Sequence, residues 1–270
     1  MITQTNRATW IFSILFAAST IFSSNLSAQK GNQDDEDKNR KPLITQDEYN
    51  KLLMWIVDEK YENVLYKCIR YTENDKTKKL PLPYIYMAQA YLGIHVSDDH
   101  ELREQYQADK NKAIKNSLKY TSKFVKKDKE SEYYFEYMEF YDDLWEHASN
   151  VAETEMDNEK YTKAKSYYKY LTSIDAEDPG AWLMFAAAYQ LINSKKEATE
   201  TYEIARNLLI EQGGKGLREV QTNLLHYAII YNAELLSTID RSAALEWLSL
   251  GEDLFRGDRE FEAVKRSIGG

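Results

Sequence analysis

Cysteine is almost missing from this chain of 270 residues; Cys68 is the single one. One thiol cannot close an intrachain disulfide, so no internal cross-link holds the fold, whatever the redox compartment. Cys68 lies inside a helical pattern, Tyr66-Lys67-Cys68-Ile69-Arg70, where a small, buried, apolar residue is the expectation. Proline and glycine are also scarce, at 4 and 10, so the charged-and-apolar runs continue unbroken and read as helix. No alternating run of β-branched residues bounded by turns appears, and a sheet is not expected. Positive charge is the minority sign, with 35 Lys and Arg against 44 Asp and Glu. A chain this acidic lacks the basic footprint that nucleic acid requires.

The N-terminus reads as an address. Arg7 precedes an apolar run from Trp10 to Phe22, followed by small residues ending at Ala28. This is the layout of a secretory signal, cut after Ala28, and the run is shorter than the ~20 residues of a membrane span. Removing residues 1–28 takes away Arg7 and no carboxylate, moving the net charge from −9 to −10. No cysteine lies near the cut to carry a lipid anchor, and the one glycosylation sequon, Asn25-Leu26-Ser27, falls in the removed segment. Both features suit a bacterial envelope protein, periplasmic or secreted. Residues 29–44 are densely charged and read as a disordered leader. Thr45 and Glu48 then have the spacing of a capping box that opens a helical domain over 45–270.

Helices are expected in pairs: 46–57 with 60–73, about 84–92 with a long helix 101–126, and 131–156 with 160–173. Two further pairs follow, 180–192 with 195–211 and 217–237 with 241–256, then a short helix at 258–268. Within this array Ala164 and Tyr168 recur 34 residues later as Ala198 and Tyr202, and Leu171 recurs as Ala205. A period of this length marks a helix–turn–helix repeat.

With Trp182, Phe185, Ala186 and Tyr189 on the first helix, Ala198, Tyr202 and Ala205 on the second, and Asp178-Pro179 at the turn, the unit resembles the tetratricopeptide repeat. Partial matches lie at Tyr84, Met87, Ala88 and Tyr91, and at Leu224, Tyr227, Ala228 and Tyr231. The match is specific over 160–206, looser over 60–94 and 217–255, and weak over 101–157; Ala198 and Ala244 stand 46 apart, not 34. The resemblance implies an all-α, right-handed solenoid of antiparallel helix pairs with a concave binding groove. Its groove candidates are Ile85, Gln89, Leu92, Leu183, Ala187, Gln190, Leu225, Ile229 and Asn232. The Lys/Asn pair by which some family members grip a peptide carboxylate has no counterpart here. A groove of this composition suits an apolar peptide or a partner helix.

No catalytic motif is present. His95 and His100 flank Asp98-Asp99 in a polar turn, and Glu146-His147 lacks the spacing that puts two metal ligands on one helical face. Gly213-Gly214-Lys215-Gly216 lacks the phosphate-loop spacing and reads as a helix stop with glycine in the left-handed region. Neither cofactor nor metal is implied. Two surface features stand out. Lys112, Lys115, Lys119, Lys123 and Lys126 share one face, within an arc of about 80° at 3.6 residues per turn; such a stripe suits an acidic partner or anionic headgroups. Tyr133, Tyr134, Tyr137, Tyr141 and Trp145, with Phe135 and Phe140 among them, cover too many faces for one core stripe, so some rings are expected at a surface. The reading is a non-catalytic envelope scaffold or adaptor for another secreted or outer-membrane protein, in an assembly or secretion complex. The alternative is a carbohydrate- or cell-wall-binding module using the 133–145 aromatics.

Overall fold

The computed structural model describes residues 43–106 and 112–270. The signal and most of the leader, and the middle of the expected 101–126 helix, lie outside the described residues. The described chain is all helix, with no strand among these residues. It forms two compact units, one ending at Leu144 and one spanning Trp145–Gly270.

The first unit contains α1 (Gln46–Val57), α2 (Tyr61–Glu73), α3 (Leu82–Val96), the short α4 (His100–Tyr106) and α5 (Lys112–Lys127). A 3₁₀ turn at Tyr134–Tyr137 and the start of α6 (Met138–Asp157) complete it. The Thr45/Glu48 capping box forms at α1 as its spacing predicts. Glu48 also accepts from Tyr71 Oη at 2.7 Å and Lys67 Nζ at 3.1 Å, tying α1 to α2. The centre is α3, which packs against α1, α2, α4 and α5 and is buried at every position from Pro83 to Ala90. Cys68 is fully buried in the same core, and burial pushes its thiol pKa up.

The second unit continues α6 and adds α7 (Tyr161–Ile174), α8 (Pro179–Leu191), α9 (Lys195–Gln212), α10 (Glu219–Ser237), α11 (Arg241–Phe255) and α12 (Arg259–Gly269). Here α8 takes the central place, against α7, α9 and α10, while α10 carries α11 and α12. Small residues make the seams: Ala164, Ala186, Ala198, Ala205, Ala228 and Ala244 are all buried. At Gly180 an added Cβ would come within 2.7 Å of the Leu225 backbone nitrogen, so hydrogen at this position sets the approach of α8 to α10.

One repeated device was not legible in the pattern of apolar residues. Glu59, Glu159 and Asn193 each adopt a left-handed conformation, with φ of 57°, 59° and 61°. At each turn the next residue's N–H reaches back five residues: Lys60 to Trp55 O at 2.8 Å, Lys160 to Glu155 O at 2.8 Å and Ser194 to Tyr189 O at 3.0 Å. This is the Schellman closure of a helix C-terminus, and the last two stand 34 residues apart. The helix expected from 131 begins instead at 138, after the 3₁₀ turn. The reason is Asp128, whose carboxylate accepts the N–H groups of Glu132 and Tyr133 at 3.0 and 3.1 Å and holds that segment as a turn. Gly213 caps α9 in the left-handed region, as expected of it.

Candidate interaction surface

The lysine stripe is built by α5. Ala113, Ile114, Ser117, Leu118, Thr121 and Phe124 are buried, and Ser117 Oγ donates to Ala88 O at 2.8 Å, seating α5 closely on α3. The opposite face carries Lys112, Lys115, Lys119, Lys123 and Lys126, all exposed. Lys119 and Lys123 place their ammonium groups 5.5 and 5.2 Å from the Tyr120 ring centroid, and Tyr120 stacks on Tyr91 at 5.6 Å. Partial burial lowers the Lys123 pKa, and the nearby Lys119 and Lys127 add to this. A stripe of like charge on one exposed helix face attracts an anion.

The aromatic turn adjoins the C-terminal end of α5. Phe124 meets Tyr137 edge-on at 5.7 Å, and Tyr137 shares a hydrogen bond with Tyr86 of α3. Tyr133, Tyr134 and Tyr137 are half-buried, while Phe135 is 79% exposed. Burial raises the Glu136 pKa to about 7, helped by Glu132 and Asp128. Two of the expected patch residues are not at the surface: Tyr141 and Trp145 are fully buried. Their four-residue spacing on α6 sets both on the core side, with Leu144 and Ala148. The accessible ring is Phe135. In the second unit Trp145 Nε1 donates to Asp178 Oδ2 at 2.7 Å, and the Arg218 guanidinium lies 4.9 Å from the Trp145 ring centroid.

Of the groove candidates, Ile85, Gln89, Leu92, Leu183, Ala187, Leu225, Ile229 and Asn232 are buried, and Gln190 is half-buried. Asn232 is held within the helix packing, donating to Ala228 O and accepting from Tyr202 Oη, both at 2.8 Å. The half-exposed positions on the same helices include five rings: Tyr91 on α3, Trp182 and Tyr189 on α8, Tyr227 and Tyr231 on α10. A ring with a polar tip can stand at such a rim with its apolar body against the helix packing.

His226 Nε2 and Asp258 Oδ1 lie 3.0 Å apart in a cleft of about 360 Å³ lined by Thr222, Leu254, Phe255 and Arg256. Asp258 caps α12; the N–H of Phe261, then the His226 ring, hold its carboxyl below the usual range. His100 Nδ1 lies 3.7 Å from Glu104. Among the described residues no three His, Cys, Asp or Glu side chains converge as metal ligands, and no helix is long and apolar enough to cross a membrane. Comparison with protein-family models, curated proteins and solved structures returns no match.

Proposed function

We propose that this protein is an exported, non-catalytic scaffold of the tetratricopeptide kind, binding an acidic segment of another secreted or outer-membrane protein. The contact is the surface formed by the α5 lysines and the turn around Phe135. The observation that carries this is their joining in one unit. Five exposed lysines run along one face of α5, and the Phe124–Tyr137 contact and the Asp128 cap fasten the aromatic turn at the end of that helix. Aromatic anchors beside a charged stripe are the composition of a protein-binding patch: rings supply contact energy, charge supplies orientation and rate. The repeat reading is supported by the buried alanines at the helix seams and by Schellman turns 34 residues apart at Glu159 and Asn193. A right-handed superhelix and export through the 1–28 signal belong to this proposal.

The test is cross-linking in the native envelope with an amine-reactive reagent, followed by identification of linked peptides. A stoichiometric partner joined through Lys112–Lys126, and lost in a Lys119→Glu/Lys123→Glu/Phe135→Ser variant, is the expected result. Recovery of the uncomplexed chain, or links indifferent to those substitutions, would sink the reading.

A further inference from the structure

The stripe on α5 has charge but no counter-charge. Among the described residues none of Lys112, Lys115, Lys119, Lys123 and Lys126 stands in an ion pair with Asp or Glu, although the chain as a whole is acidic. The same chain carries four consecutive carboxylates, Asp34-Asp35-Glu36-Asp37, shortly before the first described residue, Leu43.

The packing of the first unit brings Leu43 within reach of the stripe. Tyr49, near the start of α1, has its ring centroid 6.1 Å from that of Tyr86. Lys127, the last residue of α5, holds its ammonium 4.8 Å from the Tyr84 ring centroid. Tyr84 and Tyr86 both lie in the first turns of α3, so the start of α1 and the end of α5 flank the same end of α3. Both helices pack on α3, which sets them at most two helix spacings apart, about 16–20 Å. A chain spans at most about 3.3–3.6 Å per residue, so Asp37 can stand about 20 Å from Leu43 and Asp34 about 30 Å. That reach takes in Lys126 and Lys123, and Lys119 lies about 10 Å beyond Lys126 at 1.5 Å per residue.

The order of charge also matches. Going back from Leu43 the chain gives Lys41, Arg40 and Lys38, then the four carboxylates. Going from the aromatic turn into α5 the surface gives the exposed Glu132 and Glu130, then Lys126, Lys123 and Lys119. Laid along that surface, base meets acid first and acid meets base next.

We infer that the acidic block Asp34–Asp37 docks on Lys119, Lys123 and Lys126 of its own chain and covers the stripe until a partner displaces it. This deepens, and rests on, the reading of the stripe as a protein-binding surface. Exposed ion pairs are individually worth little, but a tether this short supplies a local concentration in the millimolar range. The contact therefore forms and exchanges. Residues 29–42 contain no aromatic residue and no Ala, Val, Leu, Ile or Met, so this segment competes for the lysines and has nothing to set against Phe135. A partner that joins carboxylates to an apolar contact at Phe135 outcompetes it, and one with charge alone is held off.

The test treats the exported chain with a carbodiimide, which joins a carboxylate to an amine where the two touch. Trypsin releases residues 31–38 as one peptide holding all four carboxylates. The expected result is that peptide linked to Lys119, Lys123 or Lys126, in a yield independent of protein concentration and lowered severalfold from about 0.05 to 0.5 M salt. Equal linkage to Lys51, exposed on α1 and nearer along the chain, would overturn the inference. So would a yield that rises with concentration, because those links join two copies.

A second measurement follows a fluorescein-labelled deca-glutamate peptide by anisotropy. It should bind about tenfold more tightly to the Asp34→Asn/Asp35→Asn/Glu36→Gln/Asp37→Asn variant than to the parent, the ratio of a tethered competitor at about 1 mM to a dissociation constant of about 0.1 mM. Circular dichroism checks the fold of the variant. Equal affinity for the two chains would overturn the inference and leave the binding surface standing. Self-links with no binding of the peptide to either chain would overturn the acidic-partner reading and keep the self-contact.

Discussion

Replacing Asp178 by alanine removes three interactions at once and should do so in a pH-dependent way. Asp178 is fully buried. One carboxylate oxygen accepts the Ala181 N–H at 3.0 Å, capping α8, and the other accepts Trp145 Nε1–H at 2.7 Å. Gln221 Nε2 stands 3.4 Å from that second oxygen. Loss of the cap costs about 1 kcal/mol, and the indole N–H left unpaired in the interior costs about 2 kcal/mol more. At pH 4 the variant should therefore be less stable by about 3 kcal/mol.

The carboxylate itself works the other way. Burial raises its pKa from 3.8 to about 6, against the bonds from Ala181 and Trp145. Between those values the folded protein holds the proton that the unfolded chain has released, so stability falls as pH rises through the window and is level above it. The difference amounts to about 3 kcal/mol, and alanine does not feel it. By pH 8 the penalty of Asp178→Ala should shrink to within about 1 kcal/mol of zero. Urea unfolding of both proteins, followed by far-ultraviolet circular dichroism at pH 4, 6 and 8, measures this directly. A penalty that grows with pH would refute the reasoning, because it would mean that Trp145 and Arg218 hold the carboxylate ionised.

Other perturbations test other parts of the argument. Gly180→Ala should destabilise by about 1–3 kcal/mol, since the new Cβ meets Leu225 backbone at 2.7 and 2.9 Å, not a side chain that can turn away; an unchanged urea midpoint would show that α8 and α10 separate freely. Glu159→Gly relieves a left-handed residue at φ 59° and should raise stability by up to about 1 kcal/mol, read as a higher midpoint; a lower one would mean that the Glu side chain, not the turn, matters there. Glu48 is held down to about pH 2 by the Thr45 N–H, then by Tyr71 and Lys67. Its contribution is present above its ordinary value and fades as pH falls toward 2, so Glu48→Gln should narrow the gap in stability between pH 6 and pH 3. Phe135→Ser should leave the urea midpoint within about 0.5 kcal/mol of the parent, because 79% of the residue is already in water; a larger loss would place that ring in a core.

Helix existence and most helix ends were legible in the residues themselves. Thr45 with Glu48, Asp178 with Pro179, and Gly213 are local devices whose chemistry acts within four residues, so α1, α8 and α9 start or stop where the chain says. The alanine period likewise announced paired helices, because close approach requires small residues wherever helices cross. Which side of a helix meets water is a different matter. The helices α3 and α8 are apolar on nearly every face, so periodicity singles out no buried stripe. Only the neighbours packed around them decide that Ile85, Leu183 and Ala187 lie inside while Tyr91, Trp182 and Tyr189 stand at the rim. The same holds for the 131–137 segment, where one carboxylate, Asp128, takes two backbone N–H groups and replaces the expected helix with a turn.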